Sequence, residues 1–90
     1  MTIDDLYAII KRRQETKPEG SYVASLMTEC DRLIQKIGEE ATEVVIAAKN
    51  KSRQRQIEEL TDVLFHSVVL WAALGATPED IYGELERRKK

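Results

Sequence analysis

Four acidic residues stand in two pairs of equal spacing, Glu40 with Glu43 and Glu59 with Asp62, on either side of a break at Asn50-Lys51-Ser52. Residues three apart on an α-helix point the same way, so each pair makes a two-carboxylate claw on one face. If the chain folds back at the break, Glu40 comes level with Asp62 and Glu43 level with Glu59. Four carboxylates at one height, with no cysteine and only His66 nearby, suit a hard divalent cation such as Mg²⁺ or Mn²⁺ rather than Zn²⁺. The spacing leaves a plainer alternative open. Lys36 with Glu40 and Arg55 with Glu59 have the separation of ordinary i,i+4 pairs on a solvated helix face.

Holding those acids level requires two long antiparallel helices. The first is expected from about 31 to 49, where Cys30, Leu33, Ile34, Ile37, Ala41, Val44, Val45 and Ala48 form an apolar stripe with Glu40 at its flank. Gly38 interrupts it at a cost of about 1 kcal/mol relative to Ala, and is a point of close approach or plain packing. At the break, Asn50 has the left-handed tolerance that ends helices and Ser52 is a cap for the next. The second long helix is expected from about 53 to 74, with Gly75 as its stop. Glu59, Asp62, His66, Val69 and Ala73 share one face; Ile57, Leu60, Leu64 and Trp71 share the opposite one. From Val63 onward that helix is apolar almost all round and must be surrounded, which predicts a second subunit in a two-fold homodimer.

The flanking segments are shorter. Thr2 and Asp5 predict a capping box on a helix from residue 2 to about 15, ended by TKPEGS. Ser21 caps a further segment through Tyr22, Val23, Ala24 and Leu26, with a bend between Met27 and Asp31. Thr77-Pro78-Glu79-Asp80 is a helix start, and Ile81, Tyr82 and Leu85 are expected to face inward. No strand pattern appears, so the fold class is all-α, a helical bundle built on the hairpin.

Composition narrows the remaining possibilities. Ninety residues with 42% hydrophobic and 33% charged content predict one domain, 1–90, near the size where a single core is only moderately stabilising. A net charge of −2 makes no case for nucleic acid. No apolar run approaches the ~20 residues that cross a bilayer, and the N-terminus lacks the order of a signal peptide. One cysteine, Cys30, excludes a disulfide framework, reads as a buried or boundary thiol, and fits a cytoplasmic location.

The segments KIGEEATEVVIAAKN and EELTDVLFHSVVL resemble the paired EExxE and ExxD motifs of the all-α nucleoside-triphosphate pyrophosphatases, the MazG-like superfamily. Within it, PEGSYVASL, DRLIQKIGEEATEVVIAAK and GATPEDIYGELERR are similar to the phosphoribosyl-ATP pyrophosphatase family, over nearly the whole chain and in order. Glu29-Cys30 departs from the small, glycine-containing turn expected there, which leaves the local path into the long helix open. The resemblance implies hydrolysis of phosphoribosyl-ATP to phosphoribosyl-AMP and pyrophosphate, the second step of histidine biosynthesis, with Mg²⁺. It implies Glu40, Glu43, Glu59 and Asp62 as metal ligands and Glu39 as a further carboxylate, the first candidate to orient or deprotonate the attacking water.

That chemistry needs cations on phosphate oxygens and an in-line water, not a protein nucleophile. Lys36 and Arg32, one and two turns before Glu40, are candidates to face the phosphates, with surface charge as the plainer role. Ser21 and Tyr22 are candidate substrate contacts, with capping and packing as theirs. His66 reads as a satisfied core histidine, and Arg87 and Arg88 as a solvated helix end. Two rival functions stand beside this one: a relative that clears non-standard or excess deoxynucleotides, and a non-catalytic dimeric module whose acids are a solvated face.

Overall fold

Thr2 opens α1 (Ile3–Thr16) with the expected reciprocal capping box to Asp5. Lys17 closes the helix in the left-handed region at φ 46°. Ser21 then caps α2 (Tyr22–Thr28) by accepting from the Ala24 N–H. The expected bend falls at Glu29, whose φ −123° and ψ 72° separate α2 from α3 (Cys30–Lys49). Ser52 caps α4 (Arg53–Leu74), which stops at Gly75 with φ 81°. A second capping box, Thr77 with Asp80, starts α5 (Pro78–Arg87). This computed structural model describes residues 1–50 and 52–89. Lys51, in the expected turn, and Lys90, in the basic end, lie outside them.

The fold is all-α, and α3 packed along α4 forms its largest helix–helix contact. The core lies at the end of that hairpin away from the turn. Ile10 of α1, Val23 and Leu26 of α2, Leu33 of α3, and Val68, Val69 and Ala72 of α4 meet there. Toward the turn, neither α1 nor α2 follows, and the hairpin extends as a bare two-helix arm. The acids of interest sit where this arm leaves the core.

Three expectations are corrected. The row of α3 that turns inward is Leu33, Ile37, Glu40, Val44 and Ala47, while Cys30, Ile34, Ala41, Val45 and Ala48 of the expected stripe are exposed. The apolar surface of α3 is wider than one face, and a single neighbouring helix covers only the part centred on Glu40. Asn50 is extended (φ −87°, ψ 146°), not left-handed: its side chain accepts from the Ser52 N–H and its carbonyl from Gln56 Nε2, so side-chain bonds turn the chain instead. Tyr82 and Leu85 of α5 face outward, because α5 leaves α4 at 108° and reaches only α1. Tyr82 donates a hydrogen bond to Asp4 at 2.9 Å.

Candidate metal centre between α3 and α4

Glu40 occupies the middle of the inward row of α3 and is 8% exposed. Lys36, one turn earlier, places Nζ 3.3 Å from its Oε1. Across the hairpin, Glu59 projects from α4 with its side chain 12% exposed and Arg55 3.5 Å away. Both i,i+4 pairs foreseen in the plainer reading therefore form, yet neither carboxylate is on a solvated face. Asp62, one turn along α4, completes a group: one oxygen from each of Glu40, Glu59 and Asp62 lies within 4.8 Å of the others.

Three carboxylates this close repel one another. The Glu59 carboxyl is held above its ordinary pKa, foremost by desolvation; Arg55 opposes this, and Asp62, Glu43 and Glu40 add to it. Lys36 is held above its usual value mainly by its hydrogen bond to Glu40, against the opposite pull of burial. An all-oxygen donor set whose like charge Lys36 and Arg55 offset only from the sides fits a hard divalent cation among the three carboxylates.

The other expected residues are distributed around this group. Glu43 is exposed and stands outside the set of three, although its charge reaches Glu59. Glu39, beside Glu40, is half-exposed; it accepts from Gln35 Nε2 at 3.1 Å, and Lys36 Nζ lies 3.9 Å away. Arg32 is exposed and makes no ion pair among the described residues. Ser21 serves as the α2 cap. Arg87 and Arg88 both bind Glu84 on the exposed end of α5.

His66 is satisfied, as expected: Nδ1 meets the Asp62 carbonyl and Nε2 meets the Tyr22 hydroxyl, each at 2.8 Å. Tyr22 is not core packing, being 41% exposed, with its ring stacked on Phe65. Sequence reasoning missed this Tyr22–His66 link. No periodic signal could supply it, since it depends on where α2 crosses α4.

The phosphoribosyl-ATP pyrophosphohydrolase family profile matches residues 3–89. Curated proteins named phosphoribosyl-ATP pyrophosphatase are similar over nearly their whole length. That of Sulfolobus acidocaldarius is 47% identical, covering 98% of this chain and 94% of that protein. Those of Sulfurisphaera tokodaii and Saccharolobus solfataricus are 46% and 44% identical, each covering 98% of this chain and 95% of the relative. A family profile over almost the whole chain, with relatives 44% to 47% identical at near-complete coverage, shows that the chain belongs to the phosphoribosyl-ATP pyrophosphohydrolase family.

Proposed function

We propose that this chain hydrolyses phosphoribosyl-ATP to phosphoribosyl-AMP and pyrophosphate, the second step of histidine biosynthesis, at the α3–α4 acidic group. The observation that carries the reading is the convergence of Glu40, Glu59 and Asp62, within 4.8 Å, in a chain of this family. These three would hold Mg²⁺, or Mn²⁺ in its place, with Glu43 available at the rim. When bound, such a cation supplies Lewis-acid neutralisation of the phosphate oxygens.

The remaining work falls to the chain's own groups. Glu39, adjacent to Glu40 in sequence and outside the group of three, is not used by the metal. Its carboxylate, held by Gln35 and near Lys36, would orient water and take its proton, a contribution of about 10²–10⁴ in rate. Water attacks the α–β phosphoanhydride in line and pyrophosphate departs. Lys36, already at Glu40, brings positive charge to the polyphosphate, and Arg32 extends it toward the phosphoribosyl arm. Ser21 and Tyr22 border the nucleotide from α2.

The chain acts as one domain and as a homodimer. Its accessible surface of 6445 Å² exceeds the roughly 5,400 Å² typical of a folded monomer of this mass. The excess, about 1,000 Å², is of the size one partner contributes to a standard interface. Ile57, Leu60 and Leu64 on α4 and Val45 and Ile46 on α3 are 41% to 58% exposed along the arm, which supports that face as the contact.

Pyrophosphate release from phosphoribosyl-ATP, dCTP and dUTP, with and without Mg²⁺, tests the function. Metal-dependent turnover of phosphoribosyl-ATP alone is expected. Turnover of a deoxynucleotide instead would move the chain to the nucleotide-clearing reading, and no release at all would leave a helical dimer without this activity.

A further inference from the structure

Among the described residues, one hydrogen bond between side chains joins α2 to α4, that of Tyr22 with His66. His66 is 6% exposed, and both its ring nitrogens are engaged. A backbone carbonyl only accepts, so the nitrogen facing the Asp62 oxygen, Nδ1, carries the proton. In the neutral ring Nε2 is then a lone-pair acceptor, and the Tyr22 hydroxyl donates to it. A phenol has one hydrogen. With that hydrogen committed, the oxygen offers only lone pairs to any other partner. The Tyr22 ring lies nearly parallel to Phe65 and edge-on to His66, which holds the phenol oxygen beside Nε2, and the hydrogen bond itself keeps the O–H turned toward it.

Tyr22 also flanks the acidic group. His66 stands one turn beyond Asp62 on α4. Through His66 the Tyr22 hydroxyl is joined to the Asp62 backbone by two hydrogen bonds of 2.8 Å, and Lys36 stands one turn before Glu40 on the facing helix. The exposed part of the phenol therefore borders the place where a nucleotide would lie.

We propose that Tyr22 meets the substrate as a hydrogen-bond acceptor of fixed polarity, reading a donor on the nucleotide (a sugar hydroxyl or the exocyclic amine), and that His66 is the positioning residue that enforces this polarity. The inference rests on the phosphoribosyl-ATP reading above. Phosphate oxygens, which also carry only lone pairs, are excluded as partners of Tyr22 while its hydrogen is held by His66. A nucleotide lacking the donor leaves that acceptor unmatched, which is how such a contact discriminates.

His66 is the only histidine, so ¹⁵N-histidine labelling reports its ring without assignment. The wild type is expected to show a protonated, pyrrole-type Nδ1 and a pyridine-type Nε2. Tyr22→Phe keeps the ring and its packing, and is expected to raise KM about tenfold with kcat within about twofold of wild type. His66→Leu should raise KM alike, His66→Gln should recover it because its amide oxygen can accept from Tyr22, and the double variant should be no worse than Tyr22→Phe. Competition by AMP, inosine monophosphate and 2′-deoxy-AMP separates the two donors: the analogue lacking the donor inhibits wild type and Tyr22→Phe equally. A protonated Nε2 in the wild type, or an unchanged KM in Tyr22→Phe, would overturn the proposal. Absence of wild-type turnover would remove the functional reading, and this inference with it.

Discussion

Glu59 carries a charge that the folded chain disfavours, because desolvation, aided by neighbouring acids and opposed by Arg55, lifts its pKa above the ordinary 4.5. Protonation of Glu59 thus favours the folded over the unfolded state. As pH rises from 4.5 through the higher folded value, that advantage is lost, so the metal-free protein should lose stability across this window. Glu59→Gln is expected to flatten the dependence and to melt higher than wild type at neutral pH in EDTA. The same variant should lose the stabilisation by Mg²⁺, which for an intact site reaches about 2.7 kcal/mol at a hundredfold excess over Kd and is read as a rise in Tm. Differential scanning calorimetry with EDTA or Mg²⁺ across pH 4 to 8 checks both. Glu39 and Glu40 should separate differently: Glu39→Gln lowers kcat by about 100-fold or more yet keeps the metal-induced rise in Tm, whereas Glu40→Gln loses both. Melting curves beside the pyrophosphate assay distinguish them. The convergence of Glu40, Glu59 and Asp62 was legible at this scale because helical periodicity, with a fold-back between α3 and α4, sets them level. The outward placement of Glu43 and the Tyr22–His66 bond were not, because they depend on side-chain placement and on the path of α2.

Caps and stops made the elements the most readable level. Thr2, Ser21, Ser52, Gly75 and Thr77 each act at the helix end where their chemistry places them. The rotation of α3 was less legible: its apolar residues cover more than one face, so the stripe with the most hydrophobes was not the one that packs inward. Burying Glu40 at the centre of the inner row costs desolvation that hydrophobic patterning opposes, a conflict of the kind that proteins carry at functional sites. Two glycines on the long helices should respond oppositely to Ala. Gly38 is helical and a Cβ there meets nothing within 4 Å, so Gly38→Ala is expected to stabilise by about 0.5–1 kcal/mol. Gly75 sits at φ 81°, where Gly75→Ala should cost about 1–2 kcal/mol whatever the space. Urea denaturation of the two variants measures both, and a loss in Gly38→Ala would place a partner's surface against that point.

At the level of the whole molecule, the chain is more open than its length requires. Its radius of gyration is 14.2 Å, against about 12 Å for a closed domain of this length. The difference is the bare arm, with Ile57, Leu60 and Leu64 in a row along α4. Leu60→Glu, on the face away from the acids, is expected to shift the protein from dimer to monomer and to lower its Tm, read by light scattering after size exclusion. An unaltered dimer would place the contact elsewhere. The expectation of a second subunit comes from the apolar surround of α4, whereas the divergence of α5 was not legible, because a three-residue connection does not state its angle. The level placement of the acids also restricts how this gene can change in length. One residue inserted between Glu40 and Asn50 would turn Glu40 by about 100° and raise it about 1.5 Å, taking it out of reach of Glu59. Insertions in the turn leave the acids where they are, and seven residues added to both helices restore them after nearly two full turns. Length variation between Glu40 and Glu59 should therefore collect at the turn or arrive as matched heptads, and single-residue insertion scanning of residues 41 to 58 would show function surviving only around 50 to 52.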